Sequence, residues 1–479
     1  MKSFLCCLPF FISSILYSQE SILNFQKLDF QRQIRNVENY SLPDDKTNNL
    51  AVILAQKDKI AGYLYNTHFE KIGEASGIQL KNKYSETIGH IVSHKTNYTL
   101  VYRTISQKKF GYISINFKTG KITTDEIEFA FDREKYVETI NFDNRMIMMS
   151  VTKGNALILR EFTSDLLFKK IATFQLDAED KSQKLINKIE FFFSKSARVV
   201  KIDNRIPNTV SRASTARKMY LQKGKVYLTF EDEESQTVLK IIDLASLSLI
   251  TKNIFYPKGK ISEFKNFNSF IYGENIFQMA SSKEEMIFQV KNFENDIIKE
   301  YYVAQENEIT FKNTPILKYN SLPNKKKKEI PTTNKFLKKI ASNIGVSVIE
   351  DDNGFLITLG GYKITNYGGT SYSGAEGGPD ISSFSSGDGG GHISFPAYNA
   401  VLSSFNDNSS SETVYINSFL NKSFNHIKEK EFKGHIFDRI KKYREELKWI
   451  VAEDVFIHNG KTYFSFWSTK EQTYSLIQF

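Results

Sequence analysis

Two decapeptides far apart in the chain are copies in pattern. Leu221–Phe230 reads LQKGKVYLTF and Ile457–Phe466 reads IHNGKTYFSF, each a short apolar run, a turn ending in Gly, and a run rich in β-branched and aromatic residues. Lys-Gly and Asn-Gly at the centre of such a pattern specify a two-residue hairpin loop, with Asn-Gly the stronger signal. Each copy is followed by a polar stretch and another strand-like run, Thr237–Asp243 and Tyr474–Phe479. Two further hairpins read directly: Val346–Leu359 around Asp352-Asn353-Gly354, and Ser269–Met279 around Gly273-Glu274-Asn275. Similar units start near residues 48, 90, 138, 266 and 346. The early spacing of roughly 45 residues is that of a four-stranded propeller blade, and the wider later spacings call for insertions.

The expectation is therefore an all-β chain, a β-propeller of about seven blades (six to eight) spanning 47–479, with short helical insertions and a Gly-rich loop. With 39 Phe and 24 Tyr against 9 Pro, the composition suits pleated sheet. Residues 19–46 form an N-terminal segment in which Ile22–Leu28 would pair near Tyr474–Phe479 to close the ring. An outer-membrane barrel is the competing architecture, since the chain ends on Phe479 after a strand-like run. Its strands would need about ten residues with a continuous apolar outer face. The runs here are shorter and are broken by charged segments.

Residues 1–18 read as a cleavable signal peptide. Lys2 supplies the positive start, Phe4–Leu16 the apolar core, and Ser18 a small residue at the cut. Cys6 and Cys7 lie inside that core, not after it, which argues against a lipid anchor. Cleavage removes both cysteines of the chain, so the mature protein would carry no disulfide, thiolate nucleophile or cysteine metal ligand. It also removes one cation and no acid, leaving the net charge one unit below the +10 of the full chain. Export without cysteine points to a bacterial protein of the periplasm, the outer membrane, the cell surface or the medium. No later apolar run approaches the length of a membrane-spanning helix.

Three segments break the repetition. Lys195–Lys218 holds seven Lys or Arg against one acid, Asp203, and reads as a solvated inter-strand insertion or a basic contact loop. It lacks the aromatics that stack bases, so nucleic acid is not an expected partner. Residues 319–344 hold a lysine-rich linker, then a short helix whose Phe336, Leu337, Ile340 and Ile344 form an apolar stripe. That stripe either packs on the main fold or, with Lys325–Lys328, lies on a membrane surface. Residues 360–392 hold eleven of the 25 glycines, with tyrosines interleaved. The composition fits either a spacer or an adaptable binding loop. The candidate contact residues are Tyr362, Tyr367, Tyr372, Asp380, Asp388 and His392 in this loop, with Arg205, Arg212 and Arg217 in the basic one.

The local motifs for catalysis or metal fail on inspection. His90 and His94 have helical metal spacing, but in an extended run they would stand roughly 13 Å apart. Glu350–Gly354 has the acids of a calcium loop without its first ligand or its closing Glu, and reads as a hairpin turn. Gly387-Asp388-Gly389 and Gly460-Lys461-Thr462 lack the remaining glycines and the strand-to-helix setting of nucleotide loops. Gly369–Ser373 misses the last residue of a nucleophile elbow. No cofactor or metal is expected.

The last 140 or so residues resemble uncharacterised exported propeller-like proteins of Gram-negative bacteria. The matching stretches are Phe424-Asn425-His426-Ile427, Ile436-Phe437-Asp438-Arg439-Ile440 and the closing hairpin. The resemblance implies a fold and a location, and no activity. The helix Ile436–Leu447 puts Ile436, Ile440, Tyr443 and Leu447 on one face, as core packing requires. The functional expectation is a non-catalytic binding or scaffold protein of the envelope, with another envelope protein or a glycan as partner. A propeller-type hydrolase or lyase acting on extracellular polysaccharide is the rival, because carboxylates that converge through the fold leave no local motif.

Overall fold

A computed structural model describes residues 20–25, 37–56, 58–81, 83–152, 154–176, 199–231, 235–320, 327–340, 343–351, 353–364, 399–406 and 411–479. Among these the protein is all-β: seven sheets of four or five strands, antiparallel except for one short parallel pair, with four short helices between them. A strand at Glu20–Phe25 (β1) belongs to the last sheet. The first sheet meanders through Val37–Pro43, Leu50–Gln56, Lys59–Tyr65 and Lys71–Ile78 (β2–β5), and the second through Glu86–Ser93, Asn97–Arg103, Phe110–Asn116 and Lys121–Ile127 (β6–β9). Glu134–Phe142, Arg145–Thr152, Ala156–Phe162 and Phe168–Gln175 (β10–β13) make the third.

The fourth sheet adds a short parallel strand, Val200–Ile202 (β14), to Arg217–Gln222, Lys225–Phe230, Gln236–Asp243 and Ser248–Phe255 (β15–β18). The fifth is Asn266–Tyr272, Asn275–Ser281, Glu285–Asn292 and Ile297–Ala304 (β19–β22). In the sixth, Ile316–Asn320 (β23), Lys327–Ile330 (β24), Ile344–Asp351 (β25), Gly354–Ile364 (β26) and Ser411–Asn421 (β27) pair in the order β24-β23-β27-β26-β25. Ile450–His458, Lys461–Ser468 and Thr473–Gln478 (β28–β30) complete the seventh, where β1 pairs antiparallel with β30.

The hairpins follow the turn chemistry of the sequence. Lys223-Gly224 has φ of 48° and 73°, and Asn459-Gly460 has 50° and 73°. Two positive φ values in succession match the right-handed twist of the flanking strands. Burial then falls from the second strand of a sheet to its fourth: LAVILAQ in β3 is buried along almost its whole length, whereas KIGEASGI in β5 is mostly exposed. Side chains of β3 alternate between two cores. Leu50, Val52 and Leu54 pack with Phe456, Trp467 and Leu476 of the seventh sheet. Ala51, Ile53 and Ala55 pack with Leu100, Ile113 and Ile115 of the second. A strand covered on both faces reads as a continuous apolar run, as β3 does. Further cores join the second sheet to the third, the third to the fourth, and the fourth through the fifth to the sixth.

Two inserted segments depart from expectation or refine it. The basic segment is not solvated over its described part: Ile206, Val210, Arg212, Ala213 and Lys218 are all buried. Its apolar residues alternate with the cations and sink into neighbouring cores, while most of the cations are spent on internal bonds. Residues 195–198 lie outside the described residues. The helix Thr333–Ile340 buries Phe336, Leu337 and Ile340 completely, in the core shared with the sixth sheet. Its apolar stripe is therefore covered and unavailable to a membrane. The helix Ile436–Glu446 likewise turns Ile440 inward, as its periodicity requires. No helix among the described residues is long and apolar enough to cross a membrane.

Candidate functional site

Acidic side chains gather along the leading strands of the first three sheets and of the seventh. Glu38 and Tyr40 share one face of β2, and the Tyr40 hydroxyl donates to the Glu38 carboxylate. Thr87 of β6 donates to the Tyr40 oxygen at 3.2 Å. Glu38 stays open to solvent while protein encloses it on most sides. Desolvation raises its pKa, and the Tyr40 hydrogen bond offsets part of the rise.

The next acids along are paired with cations. Glu86 accepts from the buried Arg103, whose guanidinium lies 3.9 Å from the Tyr136 ring centre. Glu138 accepts from Lys201 at 3.0 Å, and the Arg212 guanidinium donates to the Lys201 carbonyl. Burial lowers the Lys201 pKa, opposed by the Glu138 charge. On the seventh sheet Asp454 is sealed from solvent. It accepts from the Ser41 backbone N–H at 3.0 Å and from the Asn399 side chain at 2.7 Å. Burial raises its carboxyl to about 7 against those bonds.

Residues 199–214 run among these groups. Beyond the Lys201–Glu138 pair, the carbonyl of Val210 lies so near Gly345 of β25 that a Cβ there would stand 2.6 Å from it. Ile206 then packs with Val401, Phe405, Val455 and Phe464, and Ser404 donates to the Pro207 carbonyl at 2.9 Å. The segment thus joins the third and fourth sheets to the sixth and seventh.

The same segment supplies one wall of a cleft of about 430 Å³. Asn204 and Arg205 come from it, Tyr272 from the end of β19, Ile349 to Asp351 from the end of β25, and Lys422 from just beyond β27. The Tyr272 hydroxyl donates to Glu350 at 2.6 Å, and Lys422 bonds the same carboxylate. Those two bonds hold the Glu350 pKa below the ordinary range, the Lys422 contact contributing most. Arg205 is held by Asp203 through Nε at 2.9 Å and Nη2 at 2.6 Å.

Of the residues expected from sequence to make contacts, Arg205 lines the cleft. Arg212 and Arg217 are buried, as is Tyr362 in β26. Tyr367, Tyr372, Asp380, Asp388 and His392 lie outside the described residues. His90 sits in β6, where burial pushes its imidazole down to about 4, and His94 lies in the following turn at φ 51°. Asn204, Tyr272 and Lys422 had no local signal. Glu350 and Asp351 had one, the acidic hairpin, but it could not show what the turn would face.

No family model matches the chain, and no curated protein matches it. Several solved structures are similar to parts of it. An ACO/RPE65 chimera aligns at 7% identity over 57% of this chain and 62% of its own, with a TM-score of 0.28, so the match spans less than two thirds of that protein. The Dos1 propeller aligns at 8% identity over 72% of this chain and 69% of its own, with a TM-score of 0.25. The polysaccharide lyase Uly1 aligns at 9% identity over 80% of this chain and 77% of its own, with a TM-score of 0.26. The class that the sheets themselves define is an all-β protein of small, mostly antiparallel sheets packed face to face.

Proposed function

We propose that the chain is a seven-bladed β-propeller, closed by β1, that is exported to the bacterial envelope and works there as a non-catalytic binding or scaffold protein. The observation that carries the reading is the pairing of the leading-strand acids. Glu86 and Glu138 are held by Arg103 and Lys201, and residues 199–214 bond or pack against the third, sixth and seventh sheets beside them. A hydrolase needs carboxylates free to exchange protons and a path for substrate between them. Export rests on the signal-peptide pattern of residues 1–18, and the expected cut after Ser18 falls before β1. Cleavage there would leave the closing strand intact.

The test is an affinity pull-down from envelope fractions. The mature chain is compared with a variant carrying a short Gly-Ser turn in place of residues 365–392, which leaves β26 whole. Retention of an envelope protein or glycan by the full chain supports the reading, and its loss in the variant assigns the contact to that loop. Turnover of a polysaccharide by the full chain sinks it. One feature favours the enzyme as second reading: Glu38 is open to solvent, carries a raised pKa and has no cation bonded to it among the described residues. Turnover abolished by Glu38→Gln would establish that reading.

A further inference from the structure

The cleft between the fourth, fifth and sixth sheets has a feature that internal packing does not explain. Asn204 is only 7% exposed, lines the cleft, and makes no hydrogen bond to any other described residue. A carboxamide offers two donors and two acceptor lone pairs. Turned to the cleft with no partner among the described residues, the amide keeps these for water or a ligand there.

We propose, building on the binding reading above, that this cleft takes a neutral saccharide of one or two rings. Its charges cancel: Arg205 and Lys422 stand against Glu350 and Asp351. The two cations are already engaged, Arg205 by Asp203 and Lys422 by Glu350, and Lys430 bonds Asp351 at 2.8 Å. A phosphate or a polyanion would have to displace these carboxylates to reach them. Among the described lining residues an apolar ligand would find Ile349 as the sole aliphatic side chain.

What the cleft does offer is a set of planar polar groups held in place. The Asn204 carboxamide, the remaining Nη1 of Arg205 and the carboxylates of Glu350 and Asp351 present donors and acceptors suited to adjacent hydroxyls. The Tyr272 ring is fixed by its bond to Glu350 and by edge contact with Phe355 at 5.5 Å. Tyr272 also lines the cleft, and an aromatic ring there can cover the C–H surface of a pyranose. A volume of about 430 Å³ also falls within the usual range for small-molecule sites, about 300–1,000 Å³. Neither Glu38 nor Asp454 lines it, so binding there requires no catalytic step.

The test is titration calorimetry with saturation-transfer NMR on the mature chain. The probes are glucose, galactose, mannose, fucose and N-acetylglucosamine, with phosphate and acetate as anionic controls. At least one neutral sugar should bind saturably, and Asn204→Ala and Tyr272→Ala should each weaken it about tenfold or more, equivalent to about 1.4 kcal/mol. Asn204→Ala breaks no hydrogen bond to another described residue, so its melting temperature should not fall below that of the wild type. If Tyr272→Ala unfolds, Tyr272→Phe keeps the ring and reads the Glu350 bond alone. The proposal is overturned if no sugar saturates, if phosphate competes for the site, or if Asn204→Ala binds sugar as the wild type does. An envelope protein captured without any sugar binding would remove this inference and leave the binding reading standing. Polysaccharide turnover alongside sugar binding at the cleft would do the reverse.

Discussion

Lys218 and Glu231 face each other across the first hairpin of the fourth sheet, with Nζ and Oε1 2.8 Å apart and both side chains sealed from solvent. Glu231 also accepts from the backbone and hydroxyl of Ser269 and from Asn268, so one carboxylate ties the fourth sheet to the fifth. Breaking such a pair from one side strands a buried charge, which costs about 3–5 kcal/mol. Lys218→Met should lose stability in that range by urea denaturation, and Glu231→Gln, which can still accept from Ser269, should lose less. Equal and small losses in both would mean that the pair contributes little.

Asp454 makes stability depend on pH in a defined direction. Its folded pKa of about 7 lies above the roughly 3.9 of an unfolded aspartate. The protonated form is thus the one the fold favours. Its contribution is complete below about pH 4 and is lost as pH rises through 7. Relative to Asp454→Asn, whose side chain does not titrate, the wild type should lose melting temperature between pH 4 and 7 and run parallel above. Parallel curves throughout would refute the assignment.

Phe25 of β1 stacks on Tyr474 at 5.0 Å between ring centres and contacts Tyr63 at 4.8 Å. Phe25→Ala should cost about 1–3 kcal/mol in a thermal melt, less than a fully buried Phe because this ring is partly exposed. Removing residues 19–25 should cost more and also expose the edge of β30, an unpaired template for other chains. Sedimentation should then show self-association that the full mature chain lacks.

Gly345 tests how firmly residues 199–214 are seated. A methyl group there would meet the Val210 carbonyl at 2.6 Å and the Ser214 side chain at 3.2 Å. Backbone has to move to admit it, at about 1–3 kcal/mol. Gly345→Ala should lower the unfolding free energy by that amount, read as a lower denaturation midpoint at unchanged slope. An unchanged midpoint would mean that the crossing segment yields freely.

The hairpins were legible because their information is local. Asn459-Gly460 and Lys223-Gly224 carry the backbone conformations of their turns, and the runs around them alternate or are continuously apolar as burial on one or two faces demands. The helical stripe of Phe336, Leu337 and Ile340 was legible for the same reason. The basic segment was misread as solvated because its cations dominate the composition. Ile206 and Val210 show their purpose only once distant strands supply the cores that receive them.

By itself the sequence determined that the chain is all-β and where several of its hairpins turn, since these follow from side-chain period and from the φ that Gly and Asn permit. Only the tertiary structure decided which acids pair with cations, that Asn204 bonds no other described residue, and that Tyr272, Glu350 and Lys422 share one cleft. Those facts depend on residues from different sheets meeting in space, and a contact between strands many turns apart leaves no period, spacing or composition in the chain to announce it.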